Sequence, residues 1–260
     1  NLKNLKELNI ENTDVKSLKP LYELSNLSII HADGSKVNSD EVIGLKKQQR
    51  QLTIVYQTDE LRMWWGNLDL SWREIFNSHL LCDSNPTAEQ LQSIVDIEEV
   101  VVDPNNVVYS LEPLRQMAFL KKLIINNNQI QDLTPLSDKE YLEVLSVSGN
   151  PVDNIIPLAN SHSLKNLNIE NTPVADLTPI ASLKNIKVLN IGGTSVRNLK
   201  PLAEYESLED LSIVNTFIKS VVPLEGLSSL KHLKAYKTKI KSKHIELLKQ
   251  KFPDLNVIYY

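Results

Sequence analysis

Residues 164–185 read LKNLNIENTPVADLTPIASLKN, and the phrase recurs along the chain. Leu120, Leu142, Leu164, Ile186, Leu208 and Leu230 stand 22 apart and each opens a copy. Pro113, Pro135, Pro157, Pro179, Pro201 and Pro223 keep the same interval, and Pro20 holds that slot in an earlier copy. Seven of the 12 prolines therefore share one repeat position, which unrelated sequence does not produce. Apolar residues fall at Leu164, Leu167, Ile169, Val174, Leu177, Ile180 and Leu183. The LxxLxL opening alternates apolar and polar side chains, as a short strand with one buried face does. Asn128, Asn150, Thr172, Thr194 and Thr216 come after it, where a short polar side chain can hydrogen-bond freed backbone groups of neighbouring coils. The proline further on blocks α-helix and suits a short 3₁₀ or extended segment on the outer side.

One such coil cannot bury its own leucines, so copies stack into a solenoid with a parallel sheet on the inner curve. The pattern resembles the leucine-rich repeat superfamily, in particular the 22-residue repeats of bacterial internalins and of SDS22-like phosphatase regulators. The resemblance covers most of the chain. It implies an α/β solenoid: a right-handed coil, a parallel β-sheet on the concave face, a helical N-terminal cap and a helix-plus-strand C-terminal cap. One copy departs, starting at Ile97, 23 residues long, with the valine-rich run VVVDPNNVVYSLEPL.

The period breaks between Pro20 and Pro113, a gap of 93. Residues 27–56 align with 230–259 without a gap, at a constant offset of 203. Ser39 and Ser242 stand where a helix should start, as expected N-caps. The helix-length stretches DEVIGLKKQQ and KHIELLKQKF come next, and then the β-rich runs LTIVY and LNVIY. Solenoids need terminal caps over their last leucines, and this one occurs twice. Between the two lie all three tryptophans, Trp64, Trp65 and Trp72. Ser71-Trp-Arg-Glu74 has the capping-box pattern, with Ile75, Phe76, Leu80 and Leu81 behind it, and a second short helix is expected from Thr87. The expected division is a truncated first array with its cap over 1–57, a helical cap over 58–96, repeats over 97–240 and a closing cap over 241–260. A chain opening NLKNLKELNI reads as a piece of something longer. Residues 1–57 then need cover, from the tryptophan-bearing helix, the second array or self-association with another copy.

Composition narrows the chemistry. Glycine is scarce, 7 in 260 residues against a usual share of about 7%, and no glycine-rich phosphate loop occurs. A net charge of −4 gives no support for nucleic-acid binding, and no apolar run approaches the roughly 18 residues of a membrane span. The five histidines form no metal-pair spacing, and one cysteine, Cys82, excludes internal disulfides. His79 and Cys82 sit three apart on the expected cap helix and read as structural rather than as a nucleophile and its base. No serine elbow occurs. The expectation is a non-enzymatic chain with no cofactor.

What remains is surface. Alternate strand residues face the concave side, and the repeat register places them in three rows. Glu99, Lys122, Val144, Asn166, Val188, Asp210 and His232 make the first row. Val101, Ile124, Ser146, Asn168, Asn190, Ser212 and Lys234 make the second. Asp103, Asn126, Ser148, Glu170, Gly192, Val214 and Tyr236 make the third. Candidate contact residues are Ile124, Asn126, Ser146, Asn166, Asn168, Glu170, Asn190, Asp210, Ser212, His232, Lys234 and Tyr236, for a protein partner or a glycan. Residues 230–251 add eight lysines and one acid, Glu246, which guard a sheet edge or meet an acidic partner. The expected function is protein binding at a bacterial envelope or cell surface. The alternatives are an SDS22-like regulatory subunit of an enzyme and a structural spacer.

Overall fold

The computed structural model describes residues 2–80, 85–103 and 105–260. Leu81 and Cys82 lie outside them, and so does any pairing of His79 with Cys82. The chain divides into two compact units, Asn1–Ile97 and Glu98–Tyr260.

In the first unit three parallel strands, β1 (Glu7–Asn9), β2 (Ile29–His31) and β3 (Thr53–Val55), pair in the order β1-β2-β3. A 3₁₀ turn at Lys19–Leu21 carries Pro20. Helix α1 (Ser39–Gln48) joins β2 to β3. Leu18, Ile30, Leu45 and Ile54 are fully buried beneath these elements. Three more helices follow among the described residues of the unit: α2 (Thr58–Gly66), α3 (Leu70–Leu80) and α4 (Ala88–Val95). Helix α4 packs against β3 and against both α2 and α3.

Two polar contacts hold these helices to the repeat. The Lys46 ammonium on α1, almost wholly buried, pairs with the carboxylate of Asp96 at the end of α4. Burial pushes the Asp96 carboxyl up, against the pull of Lys46. The Asp33 carboxylate accepts from the Thr58 N–H (2.9 Å) and the Thr58 hydroxyl at the start of α2. The tryptophans pack on one another and on Phe76. Trp64 lies 6.4 Å from Trp65, while Phe76 lies 5.6 Å from Trp64 and 5.3 Å from Trp72, between ring centroids.

Three expected caps move. Asn38, extended at φ −107°, caps α1 by accepting from the Glu41 N–H, and Ser39 is already helical. Asp69 accepts from the Trp72 N–H (2.9 Å), so Ser71 lies inside α3. Lys241 holds the cap position of the final helix without a side-chain bond, and Ser242 is its first helical residue. Thr87 does cap α4, with Gln90 closing a full capping box.

The second unit is the solenoid. Its strands are β4 (Glu99–Val101), β5 (Lys122–Ile124), β6 (Val144–Ser146), β7 (Asn166–Asn168), β8 (Val188–Asn190), β9 (Asp210–Ser212) and β10 (His232–Lys234). Helix α5 (Ser242–Lys251) and strand β11 (Asn256–Ile258) complete it. All eight strands form one parallel sheet in chain order. The prolines sit at the start of 3₁₀ turns such as Thr134–Leu136, Thr178–Ile180 and Val222–Leu224, as their fixed φ allows. The residue two before each turn folds back on it. Asp132 accepts from the N–H and hydroxyl of Thr134, and Asp176 from those of Thr178, which holds both carboxyls below the usual carboxylate range. The template leucines of residues 164–185 are 0–1% exposed.

The polar residues after the strands divide by reach. Asn150 spans coils, donating to Ile125 O (2.7 Å) and accepting from the Ile130 N–H (2.9 Å), and Asn128 accepts from the Val108 N–H. Thr172, Thr194 and Thr216 are too short for that. Each donates only to its own coil, to Ile169, Ile191 and Ile213 O respectively. The expected bridge to neighbouring coils therefore holds for asparagine and not for threonine. One residue earlier the backbone is left-handed in Asn127, Gly149, Asn171, Gly193 and Asn215. The alternation has a steric cause: a Cβ on Gly193 would stand 2.2 Å from Asn171 Oδ1, and one on Gly149 2.3 Å from Asn127 Oδ1. The Asn127 and Asn171 side chains fill the place a Cβ would need on the next coil.

Candidate functional site

The sheet register carries the candidate residues into continuous rows. Lys122, Val144, Asn166, Val188, Asp210 and His232 pair across neighbouring strands, and so do Ile124, Ser146, Asn168, Asn190, Ser212 and Lys234. Asn126, Glu170 and Tyr236 lie just past the strand ends. Beneath them the intervening residues Leu123, Leu145, Leu167, Leu189, Leu211 and Leu233 are 0–2% exposed. A strand's alternation thus sends leucine into the core and polar side chains to the other face.

Those polar side chains are tied sideways. Asn126 Oδ1 accepts from the Ser146 hydroxyl (2.7 Å) and the Ser148 N–H (3.1 Å). Ser146 Oγ accepts from Asn168 Nδ2 (3.0 Å), and Asn168 Oδ1 accepts from the Glu170 N–H (3.1 Å). Asn190 Nδ2 donates to Glu170 Oε2 (3.1 Å), and its Oδ1 accepts from the Gly192 N–H. A hydrogen-bonded ladder therefore runs across β5 to β8, with one carboxylate among amides and a hydroxyl. Asn126, Asn168, Glu170 and Asn190 remain half-exposed.

Beyond the ladder the face changes. Val188, Asn190, Asp210, Ser212, His232 and Lys234 line a shallow depression of about 220 Å³ over β8 to β10. Val188 is 38% exposed, an apolar floor among polar neighbours. Ile124 and Asn166 flank the ladder, and Tyr236 is half-buried at the far end.

A second set of residues escaped the sequence reading. At the position leading into each strand, Glu98 meets Lys121 (2.6 Å), Glu143 meets Lys165 (2.7 Å), and Glu209 meets Lys187 (3.6 Å) and Lys231. The hydrogen bond and charge of Lys231 hold the Glu209 carboxyl below its ordinary value, and Lys187 adds to this. Opposite charges at that position in neighbouring coils were the signal that could have revealed this rim. Among the described residues no group of three or more His, Cys, Asp or Glu is placed to hold a metal ion, and no helix is long and apolar enough to cross a membrane.

No family model and no curated protein sequence matches the chain. Solved structures do. Internalin C2 from Listeria monocytogenes superposes with a TM-score of 0.65 at 28% identity, over 73% of this chain and 82% of that one. The chain is an internalin-like leucine-rich repeat protein. Internalin F from the same organism matches over 98% of this internalin-like chain and 74% of its own, with a TM-score of 0.57. At 20% identity that second likeness concerns the fold alone. A bacterial origin fits these neighbours, and the internalin-like fold is that of a protein-binding module.

Proposed function

We propose that this protein is a non-catalytic binding module that takes a protein partner on the concave face of residues 98–260, at the surface or envelope of a bacterium. One observation carries the reading: the ladder Asn126–Ser146–Asn168–Glu170–Asn190 is hydrogen-bonded in place, and all of its members but the buried Ser146 are still half-exposed. Side chains already held by neighbours lose little rotamer freedom when a partner docks, which lowers the cost of association. Their free donors and acceptors suit the polar contacts of an adaptable interface, and the apolar floor at Val188 gives a partner side chain somewhere to bury. A glycan is the second ligand class such a polar face fits. The division into a first-array tail to 57, a helical cap over 58–96, repeats over 97–240 and a closing cap from 241 belongs to the same proposal.

The test is affinity capture from bacterial-surface and host-cell extracts with the intact chain, against a variant carrying Asn168→Arg and Asn190→Arg. Proteins recovered by the parent and lost from the variant support the concave face. Equal recovery by both removes it, and a loss confined to glycosidase-sensitive material replaces the protein with a glycan.

A further inference from the structure

A surface away from the concave rows combines an exposed aromatic ring with exposed cations. Phe217 is 46% exposed, and the guanidinium of Arg197 lies 4.8 Å over its ring. The same coil position holds Gln129, Pro151, Pro173 and Ser195 in earlier repeats, so nothing in the repeat calls for an aromatic ring there. Two residues further on, Arg197, Lys219 and Lys241 occupy one position in three successive coils. The Lys239 N–H donates to Ile218 O at 2.9 Å, which lays 239–241 alongside 217–219. Neighbouring coils in such a sheet are about 5 Å apart, so the cations line one edge around Phe217. Arg197, Lys219, Lys239 and Lys241 are all exposed, and none of them is in an ion pair among the described residues. The lysines of the strand-leading rim, by contrast, have carboxylate partners.

We propose that the loop edge formed by Arg197, Phe217, Lys219, Lys239 and Lys241 docks an acidic polypeptide segment that carries an apolar side chain among its carboxylates. Aromatic and arginine side chains mark interface cores, and ammonium groups around them select opposite charge. The ring decides between polyanions. A sulfated or phosphorylated polymer offers little apolar surface to cover Phe217, whereas a leucine between glutamates covers the ring and meets the cations together. A bilayer is disfavoured because Phe217 is more than half covered and lies beneath Arg197 rather than protruding.

The experiment uses the intact chain and a dye-labelled synthetic peptide of repeated Glu-Glu-Leu, read by fluorescence anisotropy. Binding should weaken steeply with added salt. It should fall about tenfold or more for Phe217→Ala and for the pair Lys219→Glu, Lys241→Glu, survive Phe217→Trp, and ignore Asn168→Arg. Circular dichroism of each variant should match the parent, because Phe217, Lys219 and Lys241 are exposed and Asn168 is half-exposed. Absence of binding, unchanged binding by Phe217→Ala, or equal affinity for an all-glutamate peptide would overturn the proposal. So would Phe217-dependent retention on phosphatidylserine vesicles, or Phe217-dependent self-association in sedimentation, since either names a different occupant.

Discussion

The chain contains one strand–helix–strand design twice, in the two proposed caps, and the two copies end up in different surroundings. Residues 27–56 and 230–259 align throughout at an offset of 203. Both make a strand, a ten-residue helix and a closing parallel strand. Lys46 of the first and Lys249 of the second are the same residue at the same place. Yet Lys46 is 2% exposed and paired with Asp96, while Lys249 is exposed. Ile54 and Val55 on β3 are 0% and 2% exposed, whereas their counterparts on β11 are half-exposed. Tyr56 is buried enough to raise its hydroxyl pKa; Tyr259 instead donates to Ile240 O at 2.6 Å. The difference comes from helices α2 to α4. They are built over the first cap, so positions that suit water in the second carry packing in the first. A repeat motif fixes backbone geometry, and the burial of a given side chain is set by the segments packed against it.

The largest effects should be alike in the two caps. Leu45 and Leu248 are corresponding core leucines, 0% and 1% exposed. Leu45→Ala and Leu248→Ala should each cost about 2–5 kcal/mol, read by denaturant unfolding. A loss below about 1 kcal/mol at either site would mean that this cap does not close its array. The lysines should then separate the caps. Lys46→Ala strands the Asp96 carboxylate and should cost about 3 kcal/mol, while Lys249→Ala should stay within about 0.5 kcal/mol. Replacing both Lys46 and Asp96 by apolar residues should recover most of the loss, and a melting temperature as low as that of Lys46→Ala would contradict the pairing.

Smaller effects should appear at the helix starts. Asn38→Ala removes a side-chain cap and should cost about 1 kcal/mol. Lys241→Asn supplies the missing one to α5 and should gain about 0.5–1 kcal/mol, within the same capping range. The smallest effect is in pH. Glu41 accepts from the Leu18 N–H (2.7 Å) and the Ser17 hydroxyl (2.9 Å), and these bonds lower its pKa from the usual 4.5. A carboxyl lowered on folding adds stability above its unfolded pKa and loses it as pH falls through the folded value. Asp96, raised by burial, acts in the opposite sense, so its stability falls as pH rises through its folded value. The difference between the parent and Glu41→Gln therefore isolates Glu41: it should shrink as pH drops below 4.5. A difference that stays constant down to about pH 3 would remove the assignment.

Legibility in the sequence tracked repetition. Strands, 3₁₀ turns and the inward leucines were legible because Leu164, Pro179 and their copies recur every 22 residues, and alternation then dictated which strand residues face outward. The helix caps were less so. Ser39, Asn38, Asp69 and Ser71 all carry a suitable oxygen, and only the backbone angle at the boundary selects among them. The Lys46–Asp96 pair spans 50 residues and occurs once, so no period announces it. Sideways bonding on the concave face was hidden for a related reason. The rows could be read off, but which amide turns toward which hydroxyl depends on rotamers. The charged rim was legible and missed: opposite signs at one repeat position, Glu143 and Lys165 among them, needed only the same register.

The most direct test of the two-caps account is native-state hydrogen exchange on the intact chain, with and without Lys46→Ala. If α2 to α4 are built onto the first cap, amides of α1, β3 and α4 open together as one cooperative unit. Lys46→Ala should then lower the protection of all three in common and leave α5 and β11 unchanged. Full protection retained in α4 while α1 and β3 lose theirs, or a parallel loss in α5, would contradict the account.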